Sequence, residues 1–160
     1  MIVVSDTSPI CYLLLIDQIN LLPRLYNQVI IPQAVCEELG AEESPEIVQN
    51  WIAKPPKWLE VQSVEIAPDA AIERLDVGEG EAILLAEQLG ADLILLDEKT
   101  GRRVAMERGL KVIGLLGILD DAATQGLIDL PVLVERLQQT TFWASSNLIE
   151  WLLAKHNTEL

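Results

Sequence analysis

The chain is poor in histidine, cysteine and positive charge, and each shortage removes a class of chemistry. His156 is the single histidine among 160 residues. It lies near the C-terminus, so Ser-His-Asp and Cys-His catalysis are excluded unless that end folds back onto a site. The two cysteines, Cys11 and Cys36, sit inside apolar helical patterns without partners at metal-ligand spacing. That points to buried reduced thiols and away from a disulfide or a zinc site. The start shows no positively charged segment leading into an apolar stretch with a small-residue cleavage site, and no apolar run reaches bilayer-spanning length. The expected address is the cytoplasm, with no membrane partner. Lys and Arg number 11 against 25 Asp and Glu, giving a net charge of −14. Such a surface repels phosphate backbones and disfavours broad nucleic-acid binding through basic patches. Divalent cations in an acidic pocket invert that local sign, so a phosphodiester substrate stays open, and a basic protein partner is favoured. Any hydrolysis here is expected to run on carboxylates and metal.

What remains is a chain of one-domain length, half of it hydrophobic, in which strand-like and helix-like segments alternate. Ile2-Val3-Val4-Ser5 reads as a strand buried on both faces. It ends on Asp6 and on the hydroxyls of Thr7 and Ser8, and Pro9 then opens an almost wholly apolar helix running to Ile16. Ligands meet an open α/β sheet at the carboxyl ends of its strands, which makes Asp6 the first candidate residue. The competing role for Asp6 or Ser8 is to cap the helix. Leu21 to Tyr26 suggests a short helix and Val29 to Ile31 a second buried strand. Pro32 opens a helix over Gln33 to Leu39, stopped by Gly40, with Glu37 and Glu38 one to two turns in.

Pro45, Pro55, Pro56 and Pro68 divide the next stretch into short pieces. A helix is expected over Ile47 to Ile52 and an edge or connecting strand over Leu59 to Val64. Trp51 and Trp58 flank the intervening turn and are expected to pack it onto the core rather than to stack on bases. A helix over Asp69 to Leu75 leads to Asp76-Val77-Gly78-Glu79-Gly80-Glu81. The glycine pair resembles the start of a dinucleotide fingerprint, but the third glycine and the preceding strand are missing, and carboxylates hold the positions that would face phosphate. Glu79 and Glu81 are placed instead in the first turn of a helix, where negative charge suits the macrodipole. Asp92 to Leu96 is another buried strand, ending on Asp97-Glu98 and followed by a helix through Arg102 and Met106. Lys111 to Ile113 and Leu115 to Ala123 form a further strand and helix, closed by Gly126. From Pro131 onward two amphipathic helices, Val132 to Gln138 and Ser145 to Ala154, are expected to cover the core or form a dimer face. The whole reads as a single α/β domain over 1–160, a mostly parallel sheet between helices, with 131–160 as the covering segment.

The acids at these junctions are Asp6, Glu38, Glu79 and Asp97, with Glu37, Glu81 and Glu98 as neighbours. Carboxylates converging without Lys or His partners repel one another, and bound Mg²⁺ or Mn²⁺ is the usual resolution. Such ions activate water and stabilise the leaving oxygen in phosphodiester cleavage. Acids at strand ends also belong to receiver domains and phosphatases. A phosphoaspartyl phosphatase needs a second Asp two residues after the first, and that position is Ser8; a phosphoacceptor regulatory domain stays as a further reading.

The ordered pieces Val4-Ser5-Asp6-Thr7-Ser8-Pro9, Ile31-Pro32-Gln33-Ala34-Val35-Cys36-Glu37-Glu38-Leu39, Gly78-Glu79-Gly80-Glu81-Ala82-Ile83 and Leu96-Asp97-Glu98 with Arg102 and Ala105 resemble the PIN-domain nucleases. With Gly109 to Gly114 and Phe142-Trp143-Ala144-Ser145, the likeness is to the VapC-like branch grouped as DUF3368 and spans nearly the whole chain. It implies a three-layer α/β/α sandwich and a metal-dependent ribonuclease site. Asp6 then matches the metal ligand after the first strand, Glu38 the acid of the second motif, Glu79 the acid opening the later helix, and Asp97 the acid after the fourth strand. Ser8 matches the hydroxyl supporting the first Asp. The branch shows two aspartates where this chain has Asp97-Glu98, so both stay candidates, as do Glu79 and Glu81. Arg102 is expected to orient the acids or meet a phosphate. The implied activity is an Mg²⁺- or Mn²⁺-dependent endoribonuclease, the toxin of a toxin-antitoxin pair. Its partners would be RNA, a cognate antitoxin and a second copy in a homodimer. The alternative is a PIN scaffold that binds protein or RNA without turnover.

Overall fold

Five short apolar strands set the frame: β1 (Val3–Ser5), β2 (Val29–Pro32), β3 (Leu59–Gln62), β4 (Leu93–Leu95) and β5 (Val112–Ile113). In the computed structural model, which describes residues 1–157, they form one sheet in the order β3-β2-β1-β4-β5. Every neighbouring pair in it is parallel. The sheet is therefore fully, not mostly, parallel, because a helix or helices return the chain to the same end of the sheet after each strand. Residues 158–160 of the expected covering segment lie outside the described residues.

The helices are α1 (Thr7–Leu15), α2 (Leu21–Tyr26), α3 (Gln33–Leu39), α4 (Glu46–Ala53), α5 (Ala70–Glu73), α6 (Val77–Leu89), α7 (Lys99–Glu107), α8 (Leu115–Thr124), α9 (Leu130–Gln138) and α10 (Ser146–His156). Alternation along the strands sends side chains to two cores. Val3, Val29, Ile31, Leu93 and Leu95 face one, built with α1, α8 and α9. Val4, Ile30, Ile94 and Leu96 face the other, which is dominated by Ala82, Ile83, Leu84, Leu85 and Ala86 of α6. This gives the α/β/α layering. Truncating a fully buried residue such as Ile83 or Leu85 to Ala costs about 2–5 kcal/mol.

Most elements stand where the residue pattern puts them, with exceptions that have local causes. The helix expected to Leu75 is a single turn over Ala70–Glu73, capped by Asp69, whose side chain accepts from the Ile72 amide. The strand expected to Val64 ends at Gln62. Ser8 lies inside α1 rather than capping it; Asp6 holds the cap position, and no side chain makes a cap bond there. Cys11 and Cys36 are free thiols but half-buried rather than buried. Trp51 and Trp58 pack together against the core, ring centroids 5.8 Å apart. In the covering segment α9 buries Leu130, Leu133, Val134 and Leu137, while α10 buries Leu152.

The strand order fixes the place for chemistry. From β1 the chain moves outward to β2 and β3, then returns to add β4 and β5 on the opposite side. The crevice beyond the carboxyl ends of β1 and β4 is the point where the order reverses, and ligands bind such sheets there.

Candidate active site

Two strand ends deliver the first two acids to that crevice. Asp6 directly follows β1, its amide donating to the Leu95 carbonyl at 2.9 Å, so backbone pairing with β4 holds it; its side chain is 4% exposed. Asp97 lies two residues beyond β4. One of its oxygens, Oδ1, accepts from the Leu115 amide at 2.8 Å at the start of α8. The other, Oδ2, is buried with no hydrogen-bond partner among the described residues.

Helix termini bring the other two. Glu79 occupies the first turn of α6 and is buried. Glu38, from the last turn of α3, accepts a hydrogen bond from the Thr7 hydroxyl at the start of α1. Glycines make room for both pairs of contacts. A Cβ on Gly78 would stand 2.7 Å from Cδ of Glu38. On Gly114 it would stand 2.7 Å from Oδ1 of Asp97 and 2.8 Å from Nη1 of Arg102. Gly101 of α7 similarly lies against Oε2 of Glu79.

The electrostatics show that these acids share one field. Burial pushes the Asp6 carboxyl up to about 7, and the charges of Asp76, Glu38 and Asp97 push the same way. Burial also lifts Glu79 to about 8, helped by its hydrogen-bonded neighbour Asp76 and by the charges of Asp6 and Glu98. Asp97 is raised by burial, against the Leu115 amide and the Arg102 guanidinium, which favour its charged form. An array that pays this much to ionise is a functional candidate on physical grounds.

Of the residues expected from the sequence, Asp6, Glu38, Glu79 and Asp97 come together, with Arg102 beside Asp97. Glu98 caps α7, its Oε1 accepting from the Thr100 amide at 3.2 Å, and its charge reaches Glu79. Ser8 lines the adjoining cleft, whereas the hydroxyl bonded to a site acid is that of Thr7. Glu81 is not in the first turn of α6 and turns to α3, where its Oε1 accepts from the Ala34 amide at 3.1 Å. It caps that helix. Glu37 is exposed, and His156 folds onto Asp120 rather than the acids. Asp76 was not among the expected site residues. Its Oδ1 accepts from the Glu79 amide at 2.9 Å, and the Asp-x-x-Glu spacing of a capping box was the available signal.

A cleft of about 800 Å³ opens beside the cluster. Glu79, Asp97, Glu98 and Arg102 line one part, and Tyr12, Phe142, Trp143 and Trp151 another. The donors are all oxygen, one carboxylate oxygen lacks a partner, and no Lys compensates the charge within the four; this chemistry fits a hard divalent cation. The donor chemistry fits, but the spacing is not that of a closed metal site: among the described residues no three His, Cys, Asp or Glu side chains are arranged to hold an ion as they stand, so a bound ion would have to draw these carboxylates closer together.

An all-parallel α/β/α sandwich with carboxylates gathered at its switch point, beside an open cleft, places the chain among α/β proteins whose ligand crevice lies at the carboxyl ends of the strands. A family model described as DUF3368, PIN domain, matches residues 2–158, and the chain belongs to that family, within a superfamily of nucleases. This supports a hydrolase acting on nucleic acid. Neither the curated proteins nor the solved structures contain a significant match. Among the described residues no helix is long and apolar enough to cross a membrane.

Proposed function

We propose that the protein is an endoribonuclease that hydrolyses RNA phosphodiester bonds with Mg²⁺ or Mn²⁺ and serves as the toxin of a toxin-antitoxin pair in the cytoplasm. The observation that carries this reading is the convergence of Asp6, Glu38, Glu79 and Asp97, in which burial raises the carboxyls of Asp6, Glu79 and Asp97, a cost that a bound cation would offset. Those four residues would hold the ion. When bound, it supplies a water of lowered pKa and a counter-charge for the phosphate.

The chain's own part is positional. Pairing of β1 with β4 fixes Asp6, the Leu115 amide fixes one oxygen of Asp97, and Thr7 fixes Glu38. Arg102, in the wall of the cleft, offers a guanidinium to the phosphate. In the reaction a water oxygen attacks phosphorus, the bond to the leaving sugar oxygen breaks, and that oxygen ends protonated. An antitoxin with a basic segment suits this acidic cleft, an Arg or Lys from it occupying the place of the ion. A homodimer would use the few apolar residues that the two C-terminal helices leave exposed, such as Val132 and Leu148.

The test incubates purified protein with labelled structured and single-stranded RNAs, with Mn²⁺ or with EDTA, beside Asp6→Asn. Cleavage is expected only with the native chain and metal. Cleavage that survives EDTA or the substitution overturns the metal mechanism. The net charge of −14 favours a second reading, a binding scaffold without turnover, which is the conclusion if no RNA is cut.

A further inference from the structure

A second groove, of about 400 Å³, lies between α6 and the segment that runs from β3 to α5, and it shares no lining residue with the cleft beside the acids. Val77, Gly80, Glu81 and Leu84 recur at the spacing that sets them on one face of α6, and the stripe they form is about 10 Å long. Ile72 of α5, buried like Leu84, meets that stripe. Gly80 lets the two helices touch, since a Cβ there would stand 2.9 Å from Cγ2 of Ile72. The groove is held open by bonds of its own. Gln88 of α6 pins the segment after β3, its Oε1 accepting from the Glu65 amide at 2.7 Å and its Nε2 donating to the Ser63 carbonyl at 3.3 Å. Asp69 caps α5 through the Ile72 amide at 3.1 Å and is itself held by Arg108 at 2.8 Å. Yet two of the residues that line this fixed trough, Ile66 and Val77, are 41% and 68% exposed. Apolar side chains held in water on an ordered frame mark a contact surface.

The charge of the groove is of one sign. Glu73, Asp76 and Glu81 line it, and among the described residues no Lys or Arg does. Two of these carboxylates are already oriented, Asp76 by the Glu79 amide at 2.9 Å and Glu81 by the Ala34 amide at 3.1 Å. Such a trough repels a polyanion, and it repels a second copy of a chain whose net charge is −14. We propose that this groove docks a short basic and apolar segment of a partner protein, with aliphatic or aromatic side chains laid on Ile66, Val77 and Leu84 and a Lys or Arg set against the three acids. A trough of this length takes about three residues of extended chain. Its walls and two of its acids are fixed before the partner arrives, so little ordering is needed on this side of the contact. The inference stands on the groove alone and holds whether or not the chain cleaves RNA.

The test selects short random peptides, displayed on phage, against the full chain in EDTA. Enriched sequences are expected to pair Lys or Arg with aliphatic or aromatic residues. Synthesised and titrated into the isotope-labelled chain, they should shift backbone amide resonances within residues 64–84 and leave those of Gly114, Trp143 and Trp151 in place. Ile66→Ser and Val77→Ser change exposed side chains, so the variants stay folded, and each should weaken peptide binding by about tenfold. Glu73→Lys should weaken it by about three- to tenfold in dilute buffer, and the gap should close in high salt. Enrichment of acidic or uncharged peptides, or of none, overturns the proposal. So do shifts centred on Trp143 and Trp151, which give the peptide to the other cleft, and binding that ignores both Ser variants. Self-association of the native chain that Val77→Ser abolishes assigns the groove to a second copy and overturns it as well.

Discussion

The two ends of α6 carry the same kind of side chain and treat it in opposite ways. At the C-terminal end, Glu87 is met by Arg108 at 2.6 Å, and the same guanidinium holds Asp69 at 2.8 Å. The hydrogen bond from Arg108 keeps the Asp69 carboxyl below its ordinary range. At the N-terminal end, Glu79 meets Asp76, Asp6 and Glu98 and is pushed up to about 8. One end spends its carboxylates on clipping α5, α6 and α7 together; the other leaves them unpaired and crowded. The difference teaches that acid content alone marks nothing here, whereas buried acids that outnumber their cations mark the candidate site.

The sharpest way to break this contrast is to remove one charge from each of the two clusters. Asp6→Asn is expected to lower RNA cleavage by at least about a hundredfold, since a ligand matters at least as much as its outer partners do. It should also raise the melting temperature at pH 8, because a buried like charge is removed. Arg108→Ala should leave cleavage rates unchanged and lower the melting temperature by about 2–4 °C. A destabilised Asp6→Asn, or a catalytic defect in Arg108→Ala, would erase the distinction.

A second, smaller effect tests clearance rather than charge. Gly114→Ala puts a methyl group against Asp97 and Arg102. It should cost about ten- to a hundredfold in cleavage while the circular dichroism spectrum stays native.

The pH dependence of stability separates the two ends without mutation. Asp6 and Glu79 bind protons more tightly folded, near 7 and 8, than their ordinary 3.8 and 4.5. The folded state therefore holds extra protons between these limits, and the metal-free protein should lose stability as pH rises from about 4 to 8. Asp69 has the opposite sign: its contribution is present above its ordinary value and is lost on acidification. Saturating Mg²⁺ at pH 8 should recover stability, by about 2.7 kcal/mol at a hundred times the dissociation constant, with proton release visible in calorimetry. Denaturant melts across pH, with Mg²⁺ and with EDTA, check both signs.

The smallest effect is expected at Glu81, which belongs to neither end. Glu81→Ala removes the carboxylate that caps α3 and should lower stability by about 0.5–2 kcal/mol with cleavage unchanged. A large loss of cleavage would return Glu81 to the site.

Much of the frame is legible in the order of residues alone. The run Val29 to Ile31 between polar flanks, Pro32 before a helix and Gly126 after one are short-range signals, and they mark elements within a residue or two. The four central acids were legible because each sits at a strand end or near a helix end that the pattern exposes. Asp76 does not stand out in the sequence because its first duty, capping α6, is local and common. The place of Glu81 against the Ala34 amide is not legible in the residue pattern, because helical spacing says which residues share a face, not which neighbour that face meets. The clearances at Gly78 and Gly114 left no local trace, since each serves an acid from a distant part of the chain.

By itself, then, the sequence determined the alternation of strand and helix, the shortage of cations and the acids at the junctions, since these depend on residues within a turn or a strand of one another. Tertiary structure alone decided which acids go unpaired. That choice follows from strand order, which seats β1 beside β4 and brings α3 and α6 across them, so that Asp6, Glu38, Glu79 and Asp97 crowd together while Arg108 is committed to Asp69 and Glu87. Charge pairing is a matter of a few ångströms, and only the folded chain sets distances on that scale between residues far apart in sequence.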